Sequence, residues 1–181
     1  MRMSPDALVR FLKDRSLRLV TAESCTAGLI ASCVADAEGA GGLLECAYVT
    51  YSPNAKQRCL GVRPETWEQF NLTSEQVARE MALGALERSD ATLAIANTGV
   101  TDAVDPDIPP GTQCYAWAFR CDGGDPVVFS ETKRFTGDRN TIRHDSARYA
   151  LDRVPSLHER FEDQCRARAS AGTARGDTPH P

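Results

Sequence analysis

The sequence has no run of 18 consecutive apolar residues, the length a membrane-spanning helix requires. Its N-terminal stretch, MRMSPDALVRFLKDRSLRLV, carries charge throughout the region where a secretory signal would be apolar. No membrane partner is expected, and the cytoplasm is the default location. There is no excess of basic residues: 21 Lys+Arg stand against 25 Asp+Glu, a net charge of −4. That balance argues against a general nucleic-acid binder, which needs a basic face. The seven cysteines (25, 33, 46, 59, 114, 121 and 165) contain no C-x-x-C pair, and no histidine lies close enough to complete a zinc knuckle. Mostly buried, reduced thiols and no metal are the expectation. No internal repeat is present.

What is present fits one soluble domain. At roughly 150 residues per domain, 181 residues make one. Residues 1–161 are expected to form it. The end of the chain, RARASAGTARGDTPHP, is small and polar. Too little apolar surface is available there to offset ordering entropy, so 162–181 is expected to be a disordered tail.

Ser4-Pro5 and Ser52-Pro53 each read as an N-cap followed by a first-turn proline. ESCTAGLIASCVADA (23–37) reads as a helix starting near Ser24. SEQVAREMALGALERS reads as a helix with Val77, Met81, Leu83 and Leu86 as its apolar stripe. RLVTA (18–22), LLECAYVTYS (43–52) and ATLAIANTG (91–99) read as strands. TQCYAWAFRC and PVVFSETKRF form a hairpin across DGGD, with Tyr115, Trp117 and Phe119 on its core face. A last helix is capped by Thr136 or Asp138. Alternating strands and helices predict a three-layer α/β/α sandwich, with a mixed, mostly parallel sheet that includes the C-terminal hairpin.

In open α/β sheets, sites gather where strands end and helices begin. Three segments fit: Thr21–Gly28, Tyr48–Lys56 and Asn97–Asp102. Ser24 at a helix start can be a cap, a phosphate ligand or a nucleophile beside backbone N–H groups. Lys56 lies within about a turn of a helix start, where the dipole lowers an ammonium pKa, although a solvated lysine fits as well. Gly99 permits close backbone approach to a ligand, or serves only a turn.

Together, T-A-E-S-C-T-A-G (21–28), V-T-Y-S-P-N-A-K (49–56) and F-T-G-D-R (135–139) resemble the CinA C-terminal domain family, which includes nicotinamide mononucleotide amidohydrolases. Gly61-Val62 and Ser74-Glu75 with Val77 add to the resemblance, which runs from residue 5 to 153. It implies hydrolysis of a nucleotide carboxamide to the acid and ammonia, without a cofactor. It matches Ser24 to the nucleophile, Lys56 to the general base and Tyr51 to an assisting hydroxyl. Backbone N–H groups around Cys25 and Thr26 would hold the oxyanion, and Thr98 and Gly99 would line the substrate site; Arg139 and Arg143, on the last helix, are candidates for the substrate phosphate, and solvated helix charges fit them as well. A homo-oligomer, with a dimer foremost, is also implied.

The chain departs from the family pattern in two places. Ala27 stands where a second glycine is usual, and a helical alanine there should favour the helix. Thr98-Gly99-Val100-Thr101-Asp102-Ala103 replaces S-G-I-A-G-P. At Asp102 this removes free access to positive φ, and Asp102, Asp105 and Asp107 add negative charge beside an anionic substrate. Another small amide as substrate, or binding without turnover, are the alternatives these changes raise.

Overall fold

Four polar side chains fix where four helices begin. Ser4 Oγ accepts from Ala7 N at the start of α1 (Pro5–Asp14), and Ser52 Oγ from Ala55 N at the start of α3 (Pro53–Leu60). Ser74 Oγ accepts from Val77 N to open α5 (Glu75–Glu87), and Asp138 from Thr141 N to open α6 (Arg139–Asp152). Each cap satisfies a backbone donor that the first helical turn leaves open. The computed structural model describes residues 3–121 and 123–173. Its remaining elements are β1 (Leu19–Glu23), α2 (Leu29–Ala35), β2 (Leu44–Val49), α4 (Pro64–Phe70), β3 (Leu93–Gly99), β4 (Thr112–Cys121), β5 (Gly124–Arg134) and α7 (Val154–Thr173).

The strands form one sheet in the order β2-β1-β3-β4-β5. Period-2 alternation divides its residues between two faces. Leu93, Ile95, Tyr115, Trp117 and Phe119 point into a cluster with α1, α2, α6 and α7. Ala94, Ala96, Ala116 and Ala118 point the other way, against α5 and Leu60 of α3. The alanine face lets α5 come close. At Gly84 of α5, a Cβ would lie 1.8 Å from the Leu60 carbonyl oxygen, so glycine is required where α3 and α5 meet. Helices therefore cover both faces, and the α/β/α expectation holds, as does the aromatic core face of the hairpin. Leu83, expected in the α5 stripe, is instead 37% exposed; Ala78, Ala82 and Ala85 fill the contact.

Three expectations need correction. The sheet is mixed, but β1 pairs β2 and β3 in parallel while β3–β4 and β4–β5 are antiparallel, an even division rather than a mostly parallel one. The helix after β1 begins at Leu29, not near Ser24. And α7 continues through Thr173, so 162–173 is helical where a structureless tail was expected. Ala and Arg are good helix formers, and extending an anchored helix needs no new nucleus. Arg168 also reaches back to the Asp125 carbonyl. Residues 174–181 lie outside the described residues.

β1 is the switch point. The chain leaves it through α2 to β2 on one side, then crosses by α3, α4 and α5 to β3 on the other. The ends of β1, β2 and β3 face the crevice that this reversal opens.

Candidate active site

Glu23 ends β1 with its side chain fully buried. Its carboxylate accepts from the backbone N–H groups of Gly28 (2.8 Å), Ile30 (3.0 Å) and Ala31 (2.9 Å). A buried carboxylate thus meets the donors and the positive end of α2. Between them the chain must turn sharply, and it does so with two consecutive left-handed residues, Ala27 (φ 49°) and Gly28 (φ 95°). Ala27 is therefore not a helix-favouring alanine; it sits in a conformation that costs an L-residue roughly 1–2 kcal/mol. Replacing it with glycine relieves that strain and adds roughly 0.4–1 kcal/mol of unfolded-chain entropy. Ala27→Gly is expected to stabilise the protein by about 0.5–1 kcal/mol in a urea titration.

The turn presents Ser24 to the crevice. Ser24 Oγ caps no helix; it accepts from Lys56 Nζ at 2.8 Å. Lys56 reaches it from α3, where it shares the inner face with Leu60 four residues on. Its Nζ also donates to the carbonyls of Thr50 (2.7 Å) and, at 3.5 Å, Tyr51, where β2 gives way to α3. Lys56 is 2% exposed and forms no ion pair among the described residues. Desolvation by burial brings its pKa down from 10.5 to about 8. A lysine in this state is neutral often enough near neutrality to accept a proton.

A cavity of about 220 Å³ opens above the pair, lined by Ser24, Cys25, Tyr51, Lys56, Thr98, Gly99, Asp102 and Arg139 among others. Seven site residues expected from the sequence, Ser24, Cys25, Tyr51, Lys56, Thr98, Gly99 and Arg139, therefore line one cavity. A wider hollow of about 480 Å³ where α3 meets α5 holds no nucleophile.

Other predicted site residues fall elsewhere or act differently. The Tyr51 hydroxyl accepts from Arg139 Nη2 at 3.0 Å and, among the described residues, forms no hydrogen bond with Ser24 or Lys56. Thr98 Oγ1 donates to the Leu72 carbonyl. Gly99 serves close packing of β3 on β4: a Cβ there would lie 2.5 Å from Gln113 Oε1. Arg143 does not line the cavity. Its guanidinium donates to the carbonyls of Cys25 (3.0 Å) and Thr26 (3.2 Å), bracing the turn from behind. Thr26 N–H is already given to Asn97 Oδ1 (3.2 Å), which leaves Cys25 N–H as the donor beside Ser24. Asp102 has no positive φ, so that position does not require glycine.

The buried support beneath the turn was missed. Asn97 accepts from Thr26 N, and its Nδ2 donates to Gln113 Oε1 (3.1 Å) and Ser146 Oγ (3.4 Å). Gln113 Nε2 donates to the Val100 carbonyl (3.0 Å), and Tyr115 Oη shares a 2.6 Å hydrogen bond with Ser146 Oγ. Such a network fixes the turn because each member would leave an unsatisfied buried group if it moved. The one local signal was Glu23, an acid at the last position of a buried strand.

Residues 3–157 match the model of the CinA C-terminal domain. The CinA-like protein of Chlorobaculum tepidum is 41% identical over 148 residues, covering 78% of this chain and 34% of that protein. Nicotinamide-nucleotide amidohydrolase PncC of Escherichia coli is 38% identical over 142 residues, covering 77% of this chain and 84% of that protein. The crystal structure of a competence-damaged protein (CinA) superfamily protein from Escherichia coli superposes with a TM-score of 0.78 at 35% identity, covering 84% of this chain and 87% of that one. The chain spans only 34–37% of the length of three longer curated relatives.

Proposed function

The chain belongs to the CinA C-terminal domain family, and from that premise we propose that it is a nicotinamide-nucleotide amidohydrolase, converting nicotinamide mononucleotide to nicotinic acid mononucleotide and ammonia. The reading is supported by relatives of that name. The observation that carries it is the 2.8 Å contact between Ser24 Oγ and a buried lysine with a pKa near 8.

Neutral Lys56 takes the Ser24 proton as Oγ attacks the amide carbon. The oxyanion forms beside Cys25 N–H, at the turn held by Asn97 and Arg143. The Lys56 ammonium returns the proton to the departing nitrogen, and ammonia leaves an ester on Ser24. Water, deprotonated by Lys56, then attacks the ester and releases the acid. The cavity, at about 220 Å³, falls below the roughly 300–1,000 Å³ of a site that swallows a whole drug-sized ligand. It accommodates the pyridine ring over Ser24 and leaves the ribose phosphate at the mouth, beside Arg139.

The active form of Lys56 grows as pH rises through about 8. The rate of ammonia release at limiting substrate is expected to climb about tenfold between about pH 7 and pH 9 and then level. A profile that is flat or falling across that range contradicts a lysine base.

A further inference from the structure

The mouth of the cavity carries an ion pair that the hydrolysis does not use. Arg139 Nη1 donates to Asp102 Oδ2 at 2.7 Å and to Thr101 Oγ1 at 2.8 Å, while Nη2 donates to Tyr51 Oη at 3.0 Å. Thr101 Oγ1 in turn donates to Asp102 Oδ2 at 2.7 Å. The charged residues lining the cavity are Lys56, Asp102 and Arg139. Lys56 is committed at the floor, so Arg139 is the cation available at the mouth, and Asp102 already occupies it.

We propose that Asp102 is a specificity-determining residue, an internal anion that holds Arg139 and that the substrate's phosphate must displace. This rests on the amidohydrolase reading above. The pair is built to yield. Both side chains are more than half exposed, at 53% for Arg139 and 60% for Asp102, where an ion pair is screened and worth little. A phosphate offers the guanidinium two parallel charge-assisted bonds in its place. The displaced carboxylate cannot go far, because Thr101 is its chain neighbour and hydrogen-bonds it. It therefore stays near the phosphate and repels it. Asp102 accordingly narrows the advantage a phosphorylated substrate has over the same amide without its phosphate.

The test compares nicotinamide mononucleotide with the unphosphorylated riboside in the wild type, Asp102→Asn, Arg139→Gln and the double variant. Asparagine keeps the side chain's shape and removes its charge. Asp102→Asn is expected to shift the ratio of kcat/KM values toward the nucleotide by about three- to tenfold, chiefly through KM and most strongly at low salt. In the Arg139→Gln background the shift should shrink to the part due to direct repulsion, well below its size in the wild-type background. An unchanged ratio, or a shift as large without Arg139 as with it, overturns the proposal. Binding of inorganic phosphate, followed by calorimetry, gives a second readout independent of turnover. Asp102→Asn should bind it more tightly than the wild type, and equal affinities overturn the proposal. If the wild type hydrolyses neither substrate, the amidohydrolase reading fails, and the phosphate measurement still decides the role of Asp102.

Discussion

Lys56→Met is expected to fold, to melt at a higher temperature than the wild type at pH 7, and to release ammonia at least about 10³-fold more slowly. The two effects share one cause. Burial lowers the Lys56 pKa from 10.5 to about 8, and at about 1.4 kcal/mol per pKa unit the folded state carries about 3 kcal/mol of penalty for the ammonium. Because the folded pKa is the lower one, the unfolded chain binds the extra proton. The penalty is therefore complete below about pH 8 and fades as pH rises toward the ordinary lysine value. Methionine is unbranched, apolar and of similar length, so it removes the charge without opening a cavity. It also leaves the Thr50 carbonyl and Ser24 Oγ without the ammonium donor, which together cost about 1–2 kcal/mol because Ser24 opens onto the cavity. The net gain is about 1–2 kcal/mol, or roughly 2–8 °C in Tm for a chain of this size. Above about pH 10 that advantage should disappear. A variant that melts lower at pH 7, or that keeps its rate, contradicts the account of Lys56.

Ser24→Ala is expected to lose at least about 10⁴-fold in turnover while staying folded and still binding nicotinamide mononucleotide. The lost group is one oxygen of a residue only 8% exposed, and its hydrogen-bond partner among the described residues is Lys56 Nζ. Lys56 keeps the Thr50 carbonyl, so the loss in stability stays within about 1 kcal/mol. Without Oγ no ester can form, and the remaining acceleration comes only from positioning and from Cys25 N–H. In the proposed mechanism serine and lysine act as one unit. The Ser24→Ala, Lys56→Met double variant should therefore be no slower than Ser24→Ala alone, rather than slower by the product of the two effects. Multiplying effects would mean that the two residues act independently.

The parts of the fold that were legible in the sequence are those set by short-range chemistry. Ser52-Pro53 announces α3, and α3 carries Lys56 to the inner side of the crevice. Tyr115, Trp117 and Phe119 show their common face by alternation alone. The start of α2 was misread because the stretch from Ser24 to Gly28 contains small residues compatible with a helix. What holds it out of the helix is Glu23, which takes the N–H groups of Gly28, Ile30 and Ala31, together with Asn97 and Arg143 from much later in the chain. Contacts across 71 to 118 residues leave no local pattern to read. Arg143 illustrates the same limit: its position on the last helix suggested a phosphate ligand, and only its hydrogen bonds to the Cys25 and Thr26 carbonyls reveal a brace. The Asp-rich loop was legible as charge but not as geometry. Asp102 lies on Arg139, whereas Asp105 accepts from Asn71 Nδ2 and from Asp107 N.

The most direct measurement is the product of the wild-type protein acting on nicotinamide mononucleotide near pH 8. Ammonia and nicotinic acid mononucleotide in equal amounts are the predicted result, since the proposed reaction breaks the carboxamide C–N bond over Ser24. Free nicotinamide would mean that the glycosidic bond is cut instead. Either that outcome or no reaction from folded protein would contradict the account.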